Sequence, residues 1–176
     1  PNNKSFISYP AEVNKLHSNI LSLEYTNGKT WIGSWGKGLG YYDHLKNEFS
    51  GPIKDFEKKG LLNKNITDIE TDEIGNLWLA TIGGLHYYDI KKDTFISYTV
   101  KEGLSHNFIY SLYYDKKGIL WIGTNGGGLN KLDVNTKQIK IYSKGENNSI
   151  AGNTIYCIKE DKEENLFFLT KEIIYG

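Results

Sequence analysis

One signature returns four times along these 176 residues, and a period of that length decides the fold class before any strand is assigned. A tryptophan inside a short apolar run occurs as Thr30-Trp31-Ile32-Gly33, Leu77-Trp78-Leu79-Ala80 and Leu120-Trp121-Ile122-Gly123, spaced 47 and 43 residues apart. Leu166-Phe167-Phe168-Leu169 is the fourth copy, with Phe167 lying 46 residues after Trp121. A second marker keeps step, since Ile20, Ile66, Ile109 and Ile155 are 46, 43 and 46 residues apart. A third is an apolar or aromatic pair at i and i+3: Phe6/Tyr9, Ile53/Phe56, Phe95/Tyr98 and Ile139/Tyr142.

Each unit reads as strands. Segments such as Ile109-Tyr110-Ser111-Leu112 and Ile155-Tyr156-Cys157-Ile158 carry the β-branched and aromatic residues that strands prefer. Turns follow them. Asn27-Gly28 suits a type I′ hairpin, whose two central residues both need positive φ, and Asp72-Glu73-Ile74-Gly75 and Asp115-Lys116-Lys117-Gly118 are longer versions. The tryptophan strand comes next, then a glycine-rich loop, a strand such as Gly84-Leu85-His86-Tyr87-Tyr88-Asp89, and a closing strand. Four strands in roughly 45 residues, with no helical period, predict an all-β fold of four-stranded antiparallel β-propeller blades. The expected repeats cover residues 1–52, 53–94, 95–138 and 139–176 of one partial propeller. The first begins with the outer strand of a preceding blade, and the fourth is atypical or truncated. Trp31, Trp78, Trp121 and Phe167 are the expected repeat core, because large rings recurring at one place bury much apolar area.

Composition removes several functions. Lys plus Arg and Asp plus Glu are 21 each, so no net field steers the chain toward nucleic acid or an anionic membrane. All the basic residues are lysine, so the bidentate fork that reads phosphate or guanine is missing. Cys157 is alone and can form no intrachain disulfide. No apolar run approaches the roughly 20 residues of a membrane-spanning helix. The four histidines have no metal-ligand spacing, and no cofactor is expected. Gly123-Thr124-Asn125-Gly126 is followed by strand residues rather than a helix, which excludes a phosphate cradle. A start at Pro1 and the lack of any methionine suit a piece of a longer chain.

The pattern resembles the two-component-regulator propeller repeats in the sensor region of bacterial, Bacteroides-type hybrid histidine kinases. The third unit carries the likeness most fully, as Gly103-Leu104-Ser105-His106-Asn107-Phe108-Ile109, then Asp115 to Thr124, then Gly126-Gly127-Gly128-Leu129. The second has Ile82-Gly83-Gly84-Leu85, one residue shorter; the first departs from the pattern with Trp35 and Lys37 in its glycine loop. The resemblance implies a periplasmic sensor region of a membrane-anchored, dimeric kinase, with an oligosaccharide as possible ligand. No kinase core, receiver or DNA-reading helix is recognisable here. Four blades are fewer than a ring of this family needs, so the remainder of a propeller or a second copy is the expected partner.

Antiparallel order predicts that the loops between second and third strands share one end with the connections between blades. Candidate ligand residues on that rim are Trp35, Lys37, His17, Asn19, His106, Asn107 and Asn125. Trp35 occurs once where its counterparts are small, so its indole is free to stack on a sugar or simply to pack a loop. His106 and Asn107 suit backbone capping as well as ligand contact. Asp43, Asp89 and Asp133 are expected to accept backbone hydrogen bonds in turns, and Cys157, aligned with Ser22, Asp68 and Ser111, to be a small buried residue. The rim loops considered hold no carboxylate pair, so the chain is expected not to be an enzyme. Ligand sensing leads; a protein-interaction scaffold is the alternative, with a propeller lyase or glycosidase behind both.

Overall fold

A computed structural model describes residues 19–115, 117–145 and 150–171. The first sheet comprises β1 (Ile20–Thr26), β2 (Lys29–Ser34), β3 (Gly38–Asp43) and β4 (Glu48–Phe49), hydrogen-bonded in that order. The second runs β5 (Ile66–Thr71), β6 (Leu77–Thr81), β7 (Gly84–Asp89) and β8 (Thr94–Tyr98). The third runs β9 (Ile109–Asp115), β10 (Ile119–Thr124), β11 (Leu129–Asp133) and β12 (Ile139–Tyr142). The fourth has β13 (Thr154–Glu160) and β14 (Leu166–Lys171). All pairings are antiparallel, and one 3-10 turn, Val100–Glu102, is the only helical segment among the described residues. The first strands adjoin one another from sheet to sheet, β1 on β5, β5 on β9 and β9 on β13, as the inner strands of successive propeller blades do.

The turns form as their residues dictate. Asn27 and Gly28 have φ of 52° and 74°, the left-handed pair of a type I′ hairpin. Asp43 Oδ1 accepts the N–H groups of Leu45 and Lys46, Asp89 Oδ1 that of Lys92, and Asp133 Oδ1 those of Asn135 and Thr136. Each aspartate thereby closes the hairpin between the third and fourth strands of its blade.

Every inner strand carries a bulge at the same place. One extra residue, Leu21, Thr67, Tyr110 or Tyr156, breaks the register with the second strand. Without it, Ile66 and Asp68 would share a face; with it, they face opposite neighbours. Ile66 therefore packs back on Gly33 of the first blade, while Asp68 reaches forward to the Leu112 N–H of the third.

Core lies between blades rather than within them. Trp31 and Leu39 pack with Ile66, Ile69 and Tyr88 of the second blade; Trp78 and Leu85 pack with Ile109, Leu112 and Leu120 of the third. Ile155 and Ile158 join Leu129 and Trp121 across the last interface. Trp31 and Trp78 are buried, as the repeat predicts, and Trp121 is half-buried. Phe167 departs from the expectation at 62% exposed, because it sits on the far face of the last described sheet, where no further blade is described. Cys157 is exposed for the same reason, so it is not the buried residue its alignment implied.

One marker is displaced. Ile53/Phe56 do not lie in a fourth strand; β4 ends at Phe49, which pairs with Tyr42 as Phe95 pairs with Tyr88. Gly51, at φ 69°, and Pro52, which has no N–H to donate, break the strand, and the Ile53 N–H resumes pairing with the Leu39 carbonyl. Phe56 then folds under the sheet, where a Cβ on Gly38 would lie 2.5 Å from its ring.

Candidate functional site

The rim is assembled by a hydroxyl device repeated in three blades. Buried Ser34, Thr81 and Thr124 donate from their side chains to the carbonyls of Gly38, Gly84 and Gly128, at 2.9, 2.8 and 2.7 Å. Each bond pinches the loop between second and third strands. Backbone bonds then tie that loop to the connection between blades: Trp35 N–H to the Asn19 carbonyl, Gly38 N–H to Lys64, Asn125 N–H to Phe108 and Gly128 N–H to Asn153. The two loop sets share one end, as strand order predicts, and the rim is held by main-chain bonds on both sides of a blade boundary.

The side chains of Asn107 and His106, two of the seven expected ligand residues, have local partners. Asn107 Oδ1 accepts the Val100 N–H at 2.8 Å, and His106 Nδ1 accepts that of Phe108 at 3.0 Å. Asn125 forms an isolated bridge to Thr154. Asn19 is exposed and holds the Trp35 amide through its carbonyl. His17 lies outside the described residues. Trp35 is 44% exposed and Lys37 exposed, on a loop stabilised at Gly36 and Gly38 by φ of 85° and 81°. Lys37 lines an open cleft of about 650 Å³ between the first and second blades, and Trp35 is its near neighbour in sequence.

Gly36 and Lys37 line this cleft together with the connection from Pro52 to Lys58 and with Lys64. Trp35 does not line it. Lys58 pairs with Asp55 at 3.5 Å and Lys64 with Glu57 at 3.7 Å. Among the described residues, Lys37 and Lys54 have no carboxylate at ion-pair distance. Asp55 and Glu57 are rim carboxylates that the sequence reading passed over, because Ile53/Phe56 were assigned to a strand.

A second cluster lines the axis. A cavity of about 310 Å³ runs along the inner strands, with Glu24, Asp68, Glu70, Tyr110 and Lys159 in its wall. Burial lifts the Asp68 carboxyl to about 6 although it accepts N–H groups of Leu112 and Ile69. Burial, then the nearby Asp68 and Glu24 charges, lift Glu70 to about 8. Asp68 and Glu70 both accept backbone N–H groups from β9, and Thr67 donates to the Ile109 carbonyl at 2.7 Å. These side chains therefore pair the free edge of the next inner strand, a structural duty that also perturbs carboxylates. The signal in the sequence was Asp68 itself, the one carboxylate aligned with Ser22, Ser111 and Cys157.

Inside the second blade, fully buried His86 bonds Ser97 Oγ through Nδ1 at 2.7 Å and approaches Thr81 Oγ1 through Nε2 at 3.3 Å. Burial pushes the imidazole down to about 4. Ser97 donates to the Gly60 carbonyl and, among the described residues, the ring bonds only hydroxyls, so this is a packed polar network rather than a nucleophile and base.

Comparisons with known proteins agree with this architecture. The family described as "two component regulator propeller" matches residues 60–83 and 103–126. Histidine kinase P4 of Formosa agariphila is 37% identical over 118 residues, which are 64% of this chain and 9% of that protein. The extracellular domain of a Bacteroides thetaiotaomicron protein assigned as a hybrid two-component system superposes with a TM-score of 0.75, at 23% identity, over 96% of this chain and 22% of that one. A second such domain from the same organism gives 0.72 at 25% identity, over 96% and 25%. The chain thus spans about a tenth of the curated relative and about a quarter of each solved domain.

Proposed function

This chain carries two-component regulator propeller repeats, and from that premise we propose that it is part of a periplasmic sensor propeller in a hybrid two-component histidine kinase. It acts by binding an oligosaccharide on its rim and passing that event to a kinase elsewhere in the protein, without catalysis of its own. The observation that carries the reading is the likeness, over 96% of the chain, to extracellular domains of hybrid two-component systems. Support also comes from the rim. Main-chain bonds brace its loops, as a ligand platform requires, and a cleft of about 650 Å³ lies where the chain breaks its own repeat. Catalysis is not expected of these carboxylates, since Asp55 and Glu57 pair with lysines and Asp68 and Glu70 accept backbone N–H groups. Further blades of the same protein are the partners of the exposed faces at either end, where Leu23 and Phe167 stand in the open.

Two measurements test this. In the complete protein, a Lys46→Cys, Cys157→Ser variant in intact cells should react with a membrane-impermeant maleimide; labelling only after lysis would place the propeller in the cytoplasm and end the proposal. A thermal-shift screen of the same protein against oligosaccharides should find one that raises the melting midpoint. Capture of a protein partner with no glycan response would favour the scaffold reading.

A further inference from the structure

We infer that the cleft between the first and second blades is a site for an acidic oligosaccharide, one bearing carboxylate or sulfate groups. The oligosaccharide class rests on the sensor reading above; the charge preference rests on the cleft alone. Four lysines, Lys37, Lys54, Lys58 and Lys64, surround it against two carboxylates, in a chain whose formal net charge is zero. Both carboxylates are used by Lys58 and Lys64, so the ammonium groups of Lys37 and Lys54 are left to an outside anion. They come from different segments, Lys37 from the loop after β2 and Lys54 from the segment after β4. An anion in the cleft would be offered charge from both segments.

The charge is specific to this boundary. Where the first blade has Lys37, the corresponding loop of the second is Ile82-Gly83 and that of the third Asn125-Gly126-Gly127, both uncharged. The connection into the third blade carries Lys101 and Glu102, which cancel. The residues that make the cleft cationic are therefore those that depart from the repeat: Lys37 in its glycine loop, and the segment that Gly51 and Pro52 force out of the strand. Cleft size also fits, since about 650 Å³ lies within the roughly 300–1,000 Å³ typical of small-molecule sites. The two segments are rigid where they must be, because the Gly38 N–H to Lys64 carbonyl bond at 3.0 Å staples one to the other. Lysine suits this ligand. Its ammonium is a rotatable point charge, which meets carboxylate or sulfate at varied angles and leaves selection among sugars to shape.

Calorimetric titration of the complete protein with tetragalacturonate, a heparin-derived tetrasaccharide and neutral cellotetraose tests the inference, at 50 and 300 mM NaCl. One acidic probe should bind more tightly than cellotetraose and weaken at the higher salt, as exposed charges are screened over about 8–10 Å near 0.1 M. Lys37→Gln and Lys54→Gln should each weaken it roughly two- to fivefold, and the double variant about tenfold, with unchanged melting midpoints. Lys46→Gln, at the opposite end of the blade, should change nothing. Binding of cellotetraose alone, indifferent to the lysine variants, would overturn the charge preference and leave the sensor reading standing. Acidic binding that survives the double variant would overturn this cleft as the site. Failure of all three probes would overturn the inference, and a flat response across a wider glycan screen would take the sensor reading with it.

Discussion

A single methyl group added at Gly123 should loosen the joint between the third and fourth blades. Its φ is not left-handed, so alanine meets no backbone penalty there and gains about 0.5–1 kcal/mol of conformational entropy over glycine. Packing opposes that gain. The new Cβ would lie 2.7 Å from Ser111 Oγ, 2.8 Å from Ile155 Cγ2 and 2.9 Å from Ile155 Cβ, whereas heavy atoms in contact prefer roughly 3.5–4.0 Å. The serine hydroxyl can rotate aside. Ile155 cannot, because it is fully buried and its Cβ moves only with the β13 backbone. The blades must part by about 1 Å, and overpacking of this kind costs about 1–3 kcal/mol. The net expectation for Gly123→Ala is a loss centred on about 1 kcal/mol (range roughly 0–2.5), and about 2–4 °C in the melting midpoint for each kcal/mol at this chain's size. Thermal unfolding followed by circular dichroism measures it. Ser111→Ala provides the internal control, since it deletes one of the three contacts together with a buried hydroxyl that has no hydrogen-bond partner. Alone it should be neutral or stabilising, and in combination it should recover little of the loss, because the contacts with Ile155 remain. A midpoint that rises in Gly123→Ala, or a loss that Ser111→Ala abolishes, would refute the packing argument.

Three further outcomes are expected. His86 is held near 4 in the folded chain against an ordinary 6.5, so the unfolded chain binds the extra proton; stability should be complete above pH 6.5 and fall steadily toward pH 4, and pH-dependent melting of His86→Gln should lack this limb. Asp68 and Glu70 act oppositely, because their folded values of about 6 and about 8 lie above the unfolded ones: their contribution is greatest below about pH 4 and is lost as pH rises to 8, and the Asp68→Asn, Glu70→Gln variant should be flatter over that range by urea denaturation. If a further blade covers the far face of β14, as proposed, Phe167→Ala in the complete protein should cost about 3 kcal/mol or more by denaturant titration; a change below 0.5 kcal/mol, about what exposed positions show, would mean that face is open.

Much of the architecture was legible because a propeller blade is nearly a local object. Trp31, Trp78 and Trp121 mark second strands, Asn27-Gly28 makes the hairpin it encodes, and Asp43, Asp89 and Asp133 close the turns assigned to them. The site was less legible. His106 and Asn107 have the chemistry of ligand contacts but spend it on neighbouring backbone, which only loop geometry reveals. Asp55 and Glu57 were hidden by a strand marker that the Gly51-Pro52 break displaces.

By itself, then, the chain's sequence determined strand content, blade period and the order of loops around a rim, since each depends on residues within one unit. Tertiary structure alone decided what lies between units. A one-residue bulge, invisible to a period-two reading, turns Ile66 backward and Asp68 forward, so a single strand supplies core to one neighbour and hydrogen bonds to the next. The same dependence on neighbours leaves Phe167 and Cys157 exposed although their repeats match buried positions, because burial belongs to a pair of blades and not to a motif. It also gathers Lys37 and Lys54, 17 residues apart in the chain, into the lining of one cleft.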